Sequence, residues 1–133
     1  MKSYTDLEQS KKLAKILPLE SADMYYEPSS GFRTEPSEAK FGDIKYAHPR
    51  SIRCWSLAAL FNIMPQINDW ITPHGHKNDK LSQFEPKICK IWEHSLIPSY
   101  KVTYGNGLST DIYDNPIDAC YEMILKLHEL KRL

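Results

Sequence analysis

The nineteen residues 115–133, NPIDACYEMILKLHELKRL, constrain this chain more than any other stretch. Asn115 has the side-chain acceptor that a helix start requires, and Pro116 suits the first helical position because its φ is already set. Asp118 falls in the first turn and Lys126, Lys131 and Arg132 near the end, so charge complements the helix dipole at both poles. At 100° per residue Ile117, Cys120, Tyr121, Ile124, Leu127 and His128 share one side, with Asp118, Glu122, Lys126 and Glu129 opposite. Such a helix must be covered, and the remaining chain has to supply the cover.

A second stretch tightens the constraint. From Cys54 to Met64, CWSLAALFNIM, nine of eleven residues are apolar. Pro49 and Ser51 precede this run and Pro65 stops it. It is too short to span a bilayer, so its composition predicts a buried central helix. Near the N-terminus, Thr5-Asp6-Leu7-Glu8 has the form of a capping box with Thr5 as N-cap. The helix that follows places Leu7, Ala14 and Leu17 on one face, with Leu13 at its edge, and Pro18 closes it.

Between the helices lie strand signals. Residues 87–93 are β-rich; Tyr100, Val102 and Tyr104 alternate with Lys101 and Thr103; Leu108, Thr110 and Ile112 alternate with Ser109 and Asp111. Gly105-Asn106-Gly107 marks a hairpin. A two-residue loop would set Val102 against Asp111. A three-residue loop pairs Tyr104 with Leu108 and Tyr100 with Ile112 and keeps one face apolar, so it is the register predicted. Residues 19–26 are ambiguous between helix and strand, and residues 43–48 have the weak alternation of an edge strand. Residues 27–50 and 66–86 otherwise read as loop, punctuated by proline and glycine. The pattern predicts an α+β fold in which helices pack on one face of a small antiparallel β-meander around one buried central helix. At 133 residues it fills a single domain, 1–133.

Charge narrows the function classes. Seventeen basic and seventeen acidic side chains cancel, and the balance holds from segment to segment. No segment carries the cationic excess that binds a nucleic acid backbone, so no nucleic acid partner is expected. The first seventeen residues mix charge with apolar residues and lack the continuous hydrophobic region of a secretory signal, and no run approaches transmembrane length; no membrane partner is expected. Cys54, Cys89 and Cys120, three at wide spacing, read as reduced thiols of a cytoplasmic protein.

Residues 16–26 (ILPLESADMYY), 54–65 (CWSLAALFNIMP) and 114–133 (DNPIDACYEMILKLHELKRL) together resemble a group of short uncharacterised proteins of gut anaerobic bacteria, frequently encoded in phage-like regions. The resemblance implies a phage or mobile-element setting. It brings no reaction, ligand or catalytic residue with it.

Two chemistries are worth weighing on the residues themselves. Cys54-Trp55 at the start of the central helix has the form of an activated thiol at a helix N-terminus, as in papain-like hydrolases, with His94, or His74 or His76, as the partner base. The upstream elements of such a site are missing, and burial is the simpler explanation of a lone cysteine. His74-Gly75-His76 places two imidazoles two residues apart, a spacing that chelates zinc in an extended chain. Pro73 and Gly75 favour a loop instead, so no cofactor or metal is expected. The reading favoured is a binding or assembly module without catalysis. Tyr25, Tyr26, Phe32, Trp70 and Phe84, together with Phe41, lie where no core role is evident and are the candidate contact residues, with a protein partner or a homodimer as the occupant.

Overall fold

The computed structural model describes residues 2–26, 39–41, 51–67, 84–92, 96–105 and 107–133. Its elements run α1 (Leu7–Leu13), a 3-10 turn (Leu19–Ser21), β1 (Met24–Tyr26), β2 (Ala39–Phe41), β3 (Ile52–Cys54), α2 (Leu57–Ile63), β4 (Lys87–Ile91), β5 (Ser99–Thr103) and α3 (Pro116–Glu129). The fold is α+β. One antiparallel sheet has the order β2-β1-β3, and a second pairs β4 with β5.

Helix α3 forms as its sequence requires. Asn115 accepts from the Asp118 amide at 2.9 Å, and Pro116 begins the helix. Ile117, Cys120, Ile124 and Leu127 are wholly buried, as are Ala119 and Met123, so the covered stripe is wider than the periodicity indicates. His128, placed on that stripe by spacing alone, is exposed. The cover comes from α1 (Leu13), α2 (Leu60) and β5 (Val102), which join the α3 residues in one core cluster.

The polar face of α3 also holds structure. Lys126 donates to the Ser109 carbonyl at 2.8 Å and Glu122 accepts from the Asp111 amide at 3.2 Å. These contacts fix the strand that follows the Gly105–Gly107 loop. Its register starts as predicted: Thr103 bridges Ser109, and the Tyr104 amide donates to Leu108. Both loop glycines have positive φ, at 85° and 78°, which accounts for their identity. Farther along, the strand slips. Tyr100 bridges Tyr113 instead of Ile112, so one extra residue bulges out and the pairing no longer makes a regular third strand. Thr110, buried, accommodates the change: its hydroxyl accepts from the Val102 amide at 3.0 Å while its own amide donates to Val102. The bulge turns Ile112 out to solvent and brings Tyr113 against the core.

The central run of residues 54–64 divides. Cys54 ends β3, Trp55 is fully buried, and Ser56 caps a helix of only seven residues. Leu60 faces the core, but Ala58, Phe61 and Asn62 are exposed. An all-round apolar helix is not needed once the first two residues serve as strand and anchor. At the N-terminus the capping box is one residue later than Thr5: Asp6 accepts from the Gln9 amide at 2.8 Å and the Gln9 side chain accepts from the Asp6 amide at 3.1 Å. Thr5 is occupied elsewhere, since its amide donates to Trp55 O at 3.0 Å and its hydroxyl accepts from Trp55 N at 3.1 Å. Residues 19–26 resolve into the 3-10 turn and β1. The edge strand expected over residues 43–48 lies outside the described residues, and β2 holds an edge of the first sheet.

Ile124→Ala is expected to lower unfolding free energy by about 3 kcal/mol, through lost transfer energy plus a cavity. Ile112→Ser, in the bulge, is expected to cost under about 0.5 kcal/mol. Urea unfolding of the two variants checks the pair.

Candidate protein-binding surface

The described residues that connect β4 and β5 expose large apolar side chains where solvent-facing polar residues are the norm. Trp92 is 59 % exposed, Leu96 97 % and Ile97 71 %. The Lys90 ammonium lies 5.0 Å from the Trp92 ring centroid, a cation–π contact that orients the indole without covering it. Ile97 continues into a cleft of about 460 Å³ between the start of β5 and the start of α3. Its walls are Ile97, Pro98 and Tyr100 on one side and Asp114, Asn115, Asp118 and Lys2 on the other.

The polar wall is a network that joins two helix starts. Lys2 donates to Asp118 Oδ1 at 2.8 Å, Gln9 Oε1 at 2.8 Å and Asp6 Oδ2 at 3.0 Å. Gln9 Nε2 also donates to Asp118 Oδ1, and Asn115 Nδ2 donates to Asp118 Oδ2 and Asp114 Oδ1, each at 2.8 Å. Burial works against the charge on Asp118, yet the hydrogen bonds from Lys2, Asn115 and Gln9 outweigh it and hold the carboxyl below its usual 3.8. Burial likewise opposes the Lys2 charge, and the bonds to Asp118 and Asp6 hold the ammonium above its usual 10.5.

The residues singled out from sequence are dispersed. Tyr26 is an interior residue, 6 % exposed, whose hydroxyl donates to the Thr5 carbonyl at 2.7 Å. It packs with Met24 and Cys54. Tyr25, its neighbour in β1, is half-buried. Phe84 is half-buried against the main core and paired through its backbone with Ile67. Phe32, Trp70, His74, His76 and His94 lie outside the described residues, as do the side chain of Phe41 and most of the two loops.

Cys54 does not stand at a helix N-terminus. It closes β3, two residues before the Ser56 cap, with no exposed surface. Burial, and then the nearby Asp23 carboxylate, push its thiol up to about 12, the reverse of nucleophile activation. Asp23 itself is committed to α2: it accepts from the Ser56 amide at 2.9 Å and from the Ser56 hydroxyl. Burial also pushes the Cys120 thiol up to about 12. All three cysteines are free thiols. Among the described residues no three potential ligands gather into a metal site, and no helix is long and apolar enough to cross a membrane.

Trp92, Leu96 and Ile97 were not among the contact residues read from sequence. Their signal was present: a tryptophan and a Leu-Ile pair between two strand patterns, stopped by Pro98, where a hairpin connection is ordinarily polar. No family model, curated protein or solved structure matches this chain.

Two outcomes follow from the site. Lys2→Met is expected to cost up to about 1 kcal/mol at neutral pH, the scale of a partly screened pair. The Asp118 contribution is present above its ordinary 3.8 and lost as pH falls through the depressed value, while that of Lys2 is present below 10.5 and lost as pH rises through the raised value. The difference between wild type and variant, measured by denaturant titration across pH, should therefore vanish at both extremes. Alkylation of Cys54 and Cys120 at mildly basic pH is expected to proceed only as fast as the protein opens, whereas half-buried Cys89 reacts first; peptide mapping by mass spectrometry distinguishes them.

Proposed function

We propose that the protein is a cytoplasmic binding or assembly module without catalytic activity, and that it meets a protein partner through the apolar end of the β4–β5 hairpin. The observation that carries this reading is the exposure of Trp92, Leu96 and Ile97 within six residues of sequence. Burying a side chain of that size contributes about 1.5–3 kcal/mol. Leaving three of them in solvent gives the folded monomer no return, but a partner that covers them gains that free energy. Tryptophan is moreover a side chain enriched among residues that dominate interface energetics. A second copy of the chain is the simplest partner, and the absence of net charge removes one source of repulsion between copies. The phage or mobile-element setting is part of the proposal through the sequence resemblance alone.

The Cys54 alternative receives no support from a buried, strand-borne thiol whose proton is held more tightly than usual.

Light scattering coupled to size exclusion tests the reading with Leu96→Asp. Because Leu96 is almost wholly in solvent, the variant should keep the wild-type melting temperature. The wild type is expected to gain mass above 15.5 kDa with concentration and Leu96→Asp to remain at that mass. Identical behaviour of the two, at a constant 15.5 kDa, overturns self-association through this surface.

A further inference from the structure

The cleft beside the hairpin end says what kind of side chain belongs there. Its polar wall is nearly used up. Lys2 has three donors, and all three are engaged by Asp118, Gln9 and Asp6. Both oxygens of Asp118 accept, one from Lys2 and Gln9 and the other from Asn115. Asn115 spends its carbonyl on the Asp118 amide and its amino group on Asp114 and Asp118. What remains is Asp114. It is exposed, accepts one hydrogen bond, from Asn115, and pairs with no cation among the described residues. The positive pole of α3 does not reverse this balance, because the Asn115 cap and the first-turn Asp118 already answer it. Among the described lining residues, the charged group left to receive a hydrogen-bond donor is therefore Asp114, and the donor left over is the neutral Tyr100 hydroxyl, so the cleft favours a cation over an anion.

The opposite wall is apolar: Ile97 and Pro98, with Tyr100 offering an aromatic ring. An alkyl stem lies well on such a surface while its charged head reaches the carboxylate, and an aromatic ring attracts a cation placed over its face. Ile97 belongs both to this wall and to the exposed apolar end, so the two surfaces are continuous. We infer that the partner protein inserts a lysine or arginine side chain into this cleft, its charge on Asp114 and its stem along Tyr100 and Pro98, with a neighbouring apolar residue of the same segment on Leu96 and Ile97. The inference rests on the protein-binding reading above and adds the chemistry of the partner's segment.

The test is an amide NMR titration of the full chain with two neutral-ended dipeptide probes, N-acetyl-leucyl-arginine amide and N-acetyl-leucyl-glutamine amide. The arginine probe is expected to shift the amides of Ile97, Tyr100 and Asp114 and to bind more tightly than the glutamine probe. Asp114→Asn should weaken the arginine probe by about fivefold, the scale of a partly screened ion pair, and leave the glutamine probe unchanged. The spectrum itself reports whether the variant is folded. If it is not, added salt applied to the wild type reads the same quantity, since screening must erase the preference for arginine. Equal binding of the two probes, a preference untouched by Asp114→Asn or by salt, or no binding of either overturns the inference. None of these outcomes alters the Leu96→Asp comparison, which tests the apolar contact by itself. A lost preference beside an intact Leu96 effect removes only the cationic partner.

Discussion

The main core of the described residues is arranged to bury one stripe of α3. Ile117, Cys120, Ile124 and Leu127 have no solvent exposure, and α1, α2 and β5 contribute to the same cluster, while Met24, Tyr26 and Cys54 of β1 and β3 form a second, smaller one. At about 1.5–3 kcal/mol for each large apolar side chain, this stripe outweighs any local preference of the short elements around it. A seven-residue helix such as α1 or α2 is marginal alone, because nucleation costs more than a few hydrogen bonds return. Both persist because Leu13 and Leu60 have α3 to pack against.

Burial alone does not set the angle or register of these pieces, and here the polar groups decide. Lys2, Gln9 and Asp118 tie the start of α1 to the start of α3. Glu122 and Lys126, farther along the same polar face of the helix, hold the backbone at residues 109–111. Apart from the exposed Asp111–Glu122 bond these contacts are partly buried, where partial desolvation strengthens a charge-assisted bond without the full penalty of burying an ion. The helix is thus fixed by apolar area and oriented by a polar margin.

That division explains what could be read from the sequence. Asn115 and Pro116 act within a few residues of themselves, so the start of α3 was legible, as was the three-residue loop whose two glycines take positive φ. Features set by a distant partner were not. Thr5 has the side chain of an N-cap, but Trp55 engages it, and the cap passes to Asp6. Cys54 looks helical by composition, yet pairing with Met24 draws it into β3. The slip that exposes Ile112 is accommodated by Thr110, whose hydroxyl accepts from the Val102 amide, an arrangement invisible to an alternation count. Of the contact residues inferred from sequence, Tyr26 proved interior because its hydroxyl reaches the Thr5 carbonyl. Trp92 belongs to the β-rich run 87–93, and Leu96 and Ile97 lie between that run and the next strand pattern, so no periodicity marks their exposure.

The same logic bears on why the hairpin end can carry apolar side chains. A strand is stabilised by residues that face its neighbours, and Ile88 and Val102 form such a facing pair, with Val102 wholly buried. Beyond Ile91 and Ser99 the ladder ends, and Trp92, Leu96 and Ile97 are exposed there, so replacing them costs the fold little. Stability does not require leucine at position 96, and solubility argues against it. These described positions therefore lie where the demands of folding fall away, and the proposed contact with a partner supplies a reason for a tryptophan beside a lysine followed by a leucine–isoleucine pair.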